Sequence, residues 1–389
     1  MKIAINAPWQ SVDRYFLLVI AAIMAIGLVM MSSAAIDFSA AKYGTPFYFL
    51  ARQSIFLLIA ILAGVAAFFV PTDAWLRQGW ILLLAAFVLL VAVLIPGVGR
   101  EVNGSMRWIP LGFVNLQCSE LAKLFVLIYL AGYLVRRQDE VRESISGFAK
   151  PIVVLIVMVG LLILEPDFGS VVVLGFASMG MIFLGGVSFR NFTVTAVLVG
   201  VAGAFLAVSS AYRLQRLNCF LDPWAHPYDC GYQLTQSLIA FGRGEWFGLG
   251  LGNSIQKMFY LPEAHTDFVF AIIAEELGFV GGLVTVLLFT LLVGWIMKTG
   301  KAAQNEGRLF DAYLSYGIGL LLAAQVFINI GVNTGVLPTK GLTLPFMSYG
   351  GSSLIVTFIM MGIMARIDSE MAHHRAASSE QNAKARKNV

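Results

Sequence analysis

Charge is scarce in this chain. Asp, Glu, Lys and Arg make up 12% of its 389 residues, while 59% are apolar; soluble domains carry roughly a quarter of their residues as charges. That deficit excludes an ordinary water-soluble fold and points to a membrane protein. Cysteine is also scarce: Cys118 is isolated and only Cys219 and Cys230 lie near each other, which fits neither a disulfide scaffold nor a zinc spacing. The four histidines are His226, His265, His373 and His374, the last two in the terminal tail, so a His-based zinc site is excluded. No nucleophilic Ser or Cys stands in a recognisable elbow, which removes a catalytic triad. The net charge of +4 is too small and too dispersed to suggest a nucleic-acid partner.

Apolar runs are what the chain has in abundance. A helix needs about 20 apolar residues to cross a bilayer, and that ruler predicts ten spans, at 14–35, 48–70, 75–96, 119–135, 151–165, 168–186, 192–211, 268–298, 311–330 and 351–367. The expected fold is therefore an all-α polytopic membrane protein with a membrane domain over 14–368. The first run lacks a clear small-residue cleavage site and is expected to stay as a span. Ten spans put both ends on one side, and 16 of the 26 Lys and Arg fall in segments on that side, so the positive-inside rule predicts cytoplasmic termini. A short segment, 1–13, precedes the spans, and a polar tail, 369–389, is expected to be disordered. No repeat of 20–50 residues is evident.

Three connections on the outer side are longer or odder than simple turns. The first contains GREVNGSMRWIPLG, an amphipathic piece carrying Arg107 and Trp108 that is expected to lie along the interface. The second is the turn EPDFG after an apolar run of 13 residues, which puts Glu165 and Asp167 near membrane depth and facing protein. The third, 212–267, is long enough to imply a function, and its many aromatics predict that it packs in order.

Several polar groups then stand out. Glu120 and Lys123 in SELAKL share a helix face; the favoured reading is a structural ion pair, with Asp167 as a further partner, that holds the fourth span against the EPDFG turn. Arg213 and Arg216 are three apart outside the seventh span, and bidentate pyrophosphate binding and snorkelling to lipid headgroups weigh evenly. The series GVNTGVLPTKGLTLPFMSYGGSS, with Lys340 its only charge, reads as a cavity wall, because irregular backbone at membrane depth survives only inside protein or along a cavity. Titratable residues also gather at Glu263, His265 and Asp267, where the chain turns apolar. This is the edge of a candidate active site, with Asp267 as its base and Glu263 and Glu276 as nearby carboxylates of smaller role. A divalent cation such as magnesium or manganese, held by carboxylates and substrate phosphates, is compatible with the sequence.

The strings SELAKL, EPDFGS, LPEAHTDFVFAIIAEELG and PTKGLTLPFMSYGGSS, in this order along the chain, resemble the SEDS family of polytopic bacterial proteins, and the resemblance covers about residues 14–368. Within that family TKGLTLP resembles the division type rather than the elongation type. The resemblance implies a peptidoglycan glycosyltransferase that polymerises lipid II at the outer face of the inner membrane, at the division septum, beside a class B penicillin-binding transpeptidase and other division proteins. It also implies that Asp267 is the essential carboxylate. Around it, Arg107, Arg213, Arg216, His265, Lys340 and Ser348 are the expected substrate contacts. A lipid II flippase and a non-catalytic scaffold are the rival readings. The unusual charges cluster outward, which favours surface chemistry over transport, and a scaffold does not explain the carboxylate-bearing loop. Cys219 and Cys230 depart from the family pattern, and the sequence leaves open whether they pair.

Overall fold

The computed structural model describes residues 12–102, 105–112, 114–208 and 211–387; of the segment 1–13, only residues 12 and 13 are among them. The described chain forms thirteen α-helices: α1 (Arg14–Tyr43), α2 (Tyr48–Phe69), α3 (Thr72–Val93), α4 (Cys118–Arg136), α5 (Gln138–Glu143), α6 (Ile145–Leu164), α7 (Phe168–Leu184), α8 (Phe189–Val208), α9 (Ala211–Leu221), α10 (Tyr232–Gly244), α11 (Val269–Asn305), α12 (Leu309–Asn333) and α13 (Gly351–Lys387). Eight of them are long and apolar enough to cross a membrane, and α7 and α8 are shorter apolar helices at the places of the sixth and seventh predicted spans. The all-α polytopic expectation holds.

Local chemistry sets the helix ends. The Asp13 carboxylate accepts from the Tyr15 N–H at 2.9 Å and caps α1, and α1 stops at Gly44 in the left-handed conformation, φ 71°, where a residue without Cβ costs least. Asp167 caps α7 in the same way, accepting from the Ser170 N–H at 3.3 Å and the Ser170 hydroxyl at 2.8 Å. Most of α4 and α12 is buried, whereas α2, α3, α6 and the apolar part of α11 expose large side chains outward, as a bundle in hydrocarbon does. Small residues let helices touch: a Cβ at Gly362 would lie 2.0 Å from Gly64 O, which fixes the close pairing of α2 with α13.

Three features depart from the sequence reading. The amphipathic connection after α3 is a three-stranded antiparallel meander, β1 (Arg100–Val102), β2 (Ser105–Leu111) and β3 (Val114–Gln117), with Trp108 opposite Gln117 and Ile109 opposite Leu116. The last helix does not end at 367 with a disordered tail behind it; α13 continues to Lys387. Finally, α11 is broken at Gly278, φ 69° and ψ −167°. The backbone groups freed there are met by the loop behind α10: Leu249 and Gly250 N–H donate to Glu275 and Glu276 O, each at 3.0 Å, while Phe279 and Val280 N–H donate to Glu245 O at 2.9 Å and Trp246 O at 3.1 Å. A broken helix at this depth survives because the loop replaces its missing ladder.

The long connection 212–267 has helical structure of its own. It contains α9, a short 3-10 turn Pro223–Ala225, α10 and a helical turn Gln256–Tyr260, and Cys219 and Cys230 form a disulfide within it.

Candidate active site

Asp267 lies in the turn just before α11, half-buried. Its main-chain carbonyl accepts from Asn329 Nδ2 at 2.9 Å and from Asn333 Nδ2 at 3.0 Å. Its carboxyl lies against Gly341, where an added Cβ would stand 2.9 Å from Oδ2. Burial, with the Glu263 charge adding to it, pushes the Asp267 carboxyl up to about 7, while the Arg107 guanidinium pulls the other way. A carboxyl in that range accepts a proton near neutral pH and passes it on, as a general base must.

Arg107, on β2, faces the turn between α6 and α7. Its Nε donates to Glu165 O at 3.3 Å, its NH2 group donates to Pro166 O, and its NH1 group stands 3.8 Å from Asp167 Oδ1. The side chain keeps 24% of its surface exposed, so it is fixed by the turn and still open on one side. Glu165 beside it is fully buried, with neither carboxyl oxygen hydrogen-bonded. Burial first, and then the Asp167 charge, push it up to about 8 against the pull of Arg107, so it is largely neutral at pH 7. Lys340 places its Nζ 5.0 Å over the Phe168 ring at the start of α7, next to Asp167. Arg107, Asp167, Asp267 and Lys340, all marked in the sequence, are thus brought to one end of the bundle.

The other marked residues have different surroundings. Lys123 Nζ meets Glu120 Oε1 at 2.8 Å within α4, side chains 1% and 6% exposed, the expected buried pair. Asp167 is not its third member; it pairs with Arg107 and caps α7, and no ion pair joins it to Lys123 among the described residues. His265 packs its ring against Phe38, Phe49 and Tyr349 at centroid distances of 5.3, 4.7 and 5.9 Å, and burial lowers its pKa despite Glu263. Its ring thus sits in an aromatic cluster. Ser348 is 4% exposed, its hydroxyl accepts from the Leu344 N–H at 2.8 Å and its carbonyl from Gln53 Nε2 at 3.2 Å, so it pins the loop to itself and to α2. Arg216 is half-buried on α9, which packs on α8 and on the Pro223–Ala225 turn; the side chain of Arg213 lies outside the described residues.

The sequence reading gave Glu276 a smaller role and missed the charged cluster it belongs to. Glu275 and Glu276 are both 0% exposed. Glu276 accepts from Lys257 Nζ at 2.8 Å, from the Ser33 hydroxyl at 2.8 and 2.9 Å and from the Ser254 N–H at 3.3 Å. Glu275 accepts from the Ser254 hydroxyl and from the Ile255 and Gln256 N–H groups at 3.2 and 3.3 Å, and Arg243 Nε lies 3.2 Å from it. The signal available was two adjacent carboxylates inside an apolar run. Among the described residues, no group of three or more His, Cys, Asp or Glu is placed to hold a metal ion.

Residues 13–373 match the model of the FtsW, RodA and SpoVE family of cell cycle proteins. The chain belongs to this family. A SEDS protein of Hahella chejuensis named probable peptidoglycan glycosyltransferase FtsW is 53% identical over 97% of this chain and 94% of its own length; one of Legionella pneumophila with the same name is 48% identical over 94% and 93%. Among solved structures, a chain from work described as "Structural coordination of polymerization and crosslinking by a peptidoglycan synthase complex" superposes with a TM-score of 0.77 at 31% identity, covering 92% of this chain and 98% of the other. The rod shape determining protein RodA of Thermus thermophilus gives 0.69 at 31% identity, with 92% and 97% covered. Within the SEDS family the likeness to FtsW agrees with the division-type string at Thr339–Pro345.

Proposed function

We propose that this SEDS protein polymerises lipid II into glycan strands for septal cell-wall synthesis, with Asp267 as the general base. The observation that carries the reading is the Asp267 carboxyl itself, half-buried, pushed up to about 7 and held at the rim of an apolar helix where a lipid-linked sugar can reach it. The names of the FtsW relatives supply the substrate class.

The donor sugar of lipid II is α-linked to pyrophosphate and the polymer bond is β, so one displacement inverts the anomeric centre. The acceptor 4-hydroxyl attacks, its proton passes to Asp267, and pyrophosphate departs with the prenyl chain. Such a step needs a base but no strong acid, because the leaving group is already a good one. Developing negative charge on the pyrophosphate is met by the open side of Arg107 and by Lys340. Glu165, largely neutral beside Arg107, leaves that guanidinium's charge less compensated and more available to the phosphates.

The loop-rich end then faces the periplasm, both termini face the cytoplasm, and the protein sits in the inner membrane at the septum beside a class B penicillin-binding transpeptidase. The solved relative from a synthase complex supports the partnership. Against a flippase weighs the far end of the bundle, where Arg308 closes on Asp311 and Glu370, and Arg366 on Glu370, so the charges of that cluster engage one another. The deciding experiment is purified protein, with and without its transpeptidase, given labelled lipid II. Glycan strands from the parent and none from well-folded Asp267→Asn support the reading; equal strands from both refute it.

A further inference from the structure

The last turns of α12 carry two carboxamides, Asn329 and Asn333, 2% and 0% exposed, and their spacing of four puts them on one helix face. A buried amide is costly unless its hydrogen bonds are met, so its partners say what it is for. Asn329 Nδ2 donates to two carbonyls from separate segments, Asp267 O at 2.9 Å and Leu342 O at 2.6 Å. Asn333 Nδ2 donates to Asp267 O at 3.0 Å and to Asn329 O at 2.8 Å, and its Oδ1 accepts from the Ala271 N–H at 3.0 Å. The Asn333 carbonyl in turn accepts from the Ser237 hydroxyl at 2.7 Å, which ties α10 to the same point. Among the described residues, the hydrogen bonds to Asp267 go to its main chain, and its carboxyl faces Gly341, next to the Leu342 that Asn329 grips.

We propose that Asn329 and Asn333 are positioning residues for the reaction: they fix the Asp267 main chain and the Lys340–Leu342 segment as one unit, so that base and cation keep their separation through the displacement. This rests on the reading of Asp267 as the base. A base in a turn has no helix ladder of its own to hold it, and displacement by about 1 Å from the reactive geometry can cost about a hundredfold in rate. The two amides supply that hold from a helix buried in the centre of the bundle. Because they touch the main chain only, they act on rate through Asp267 and leave substrate affinity to other groups.

The test compares full-length parent, Asn329→Ala, Asn333→Asp and Asp267→Asn, each purified in detergent with the transpeptidase partner, for thermal melting and for lipid II polymerisation across pH 5.5–8.5. Asn333→Asp keeps the acceptor for Ala271 and loses the donor to Asp267, so it serves if Asn329→Ala does not fold. The expected result is a fall of about 10- to 100-fold in kcat with KM within about twofold. The acid-side midpoint of the pH profile should also drop below the parent's, as a loosened turn lets water reach the carboxyl. A purely structural role would lower the amount of folded protein and leave kcat per folded molecule and the midpoint where they were, which overturns the proposal. An active Asp267→Asn sinks the base assignment itself, whereas an inactive Asp267→Asn beside parent-like asparagine variants sinks only the positioning role.

Discussion

Asp267, Glu275 and Glu276 lie on one stretch of chain at the same end of the bundle, yet their surroundings are opposites. Glu275 and Glu276 have every side met: hydroxyls, main-chain N–H groups, Lys257 and Arg243 converge on them. Asp267 is gripped by its carbonyl, and among the described residues no donor reaches its carboxyl. Buried charge that is fully satisfied holds structure together, here the loop 245–257 against α1 and the broken α11. Buried carboxyl that is held but not satisfied keeps its oxygens for another molecule. On the reading of Asp267 as the base, the completeness of the hydrogen bonds distinguishes it from the two glutamates that hold the loop.

Removing the basicity of Asp267 breaks the comparison most sharply. Asp267→Asn keeps the shape and the main-chain grip, so melting temperature should stay close to the parent's while lipid II polymerisation falls by roughly 10²–10⁴-fold. Glu263→Gln is the matched control: Glu263 is exposed and accepts from the Thr266 hydroxyl at 2.7 Å, and its loss should change the rate far less. Quantified glycan strands from equal amounts of folded protein decide between the two.

The satisfied cluster should fail in the other way. Lys257→Ala leaves Glu276 buried without its cation, and removing one partner of a buried pair costs about 3–5 kcal/mol. Lys123→Ala should do the same through Glu120 in α4. Both variants are expected to show low yield and a lowered melting temperature, with polymerisation per folded molecule retained. A stable but inactive Lys257→Ala would move that cluster into the chemistry and dissolve the distinction drawn above.

The part of this that was legible in the sequence follows from how far each signal reaches along the chain. Spans need only composition over a window, so the ten apolar runs match the eight long apolar helices plus α7 and α8. Asp267 and Lys340 stand out because charges beside apolar runs are few. The meander was not legible: Arg100–Val102 has three residues and Val114–Gln117 four, too short for an alternation to register, although it is the platform that aims Arg107. The Lys257–Glu276–Ser33 contacts join residues 19 and 243 positions apart along the chain, a pairing that no local pattern encodes. Asn329 and Asn333 did leave a signal, two amides on one face of an apolar helix, which marks buried polar contact without naming the partner.

pH sharpens the comparison without any mutation. The Asp267 carboxyl is raised to about 7 from its ordinary acidic value, so the ionised, proton-accepting form grows as pH rises and is lost as pH falls. kcat/KM for polymerisation should therefore fall about tenfold per unit below pH 7 and level off above it. An acid-side midpoint near 4 in the parent would show that the carboxyl is solvated as an ordinary aspartate, and would remove the contrast with its satisfied neighbours.

The smallest expected effect comes from Gly341→Ala, which adds one methyl group against the Asp267 carboxyl. That Cβ would stand 2.9 Å from Oδ2 and 3.8 Å from Cγ, closer than a carbon and an oxygen tolerate, so either the carboxyl rotates or the loop yields. The Asn329 bond to Leu342 O at 2.6 Å resists movement of the loop, which leaves the carboxyl to turn. The methyl also excludes water from one side of the acid, so the acid-side midpoint should rise while kcat falls by about tenfold or less. Thermal melting should change little, since the half-exposed site can give on its open side. If Gly341→Ala instead melts several degrees lower with an unchanged pH midpoint, the loop has moved and the carboxyl has not. The grip of α12 on the loop would then be weaker than its hydrogen bonds imply.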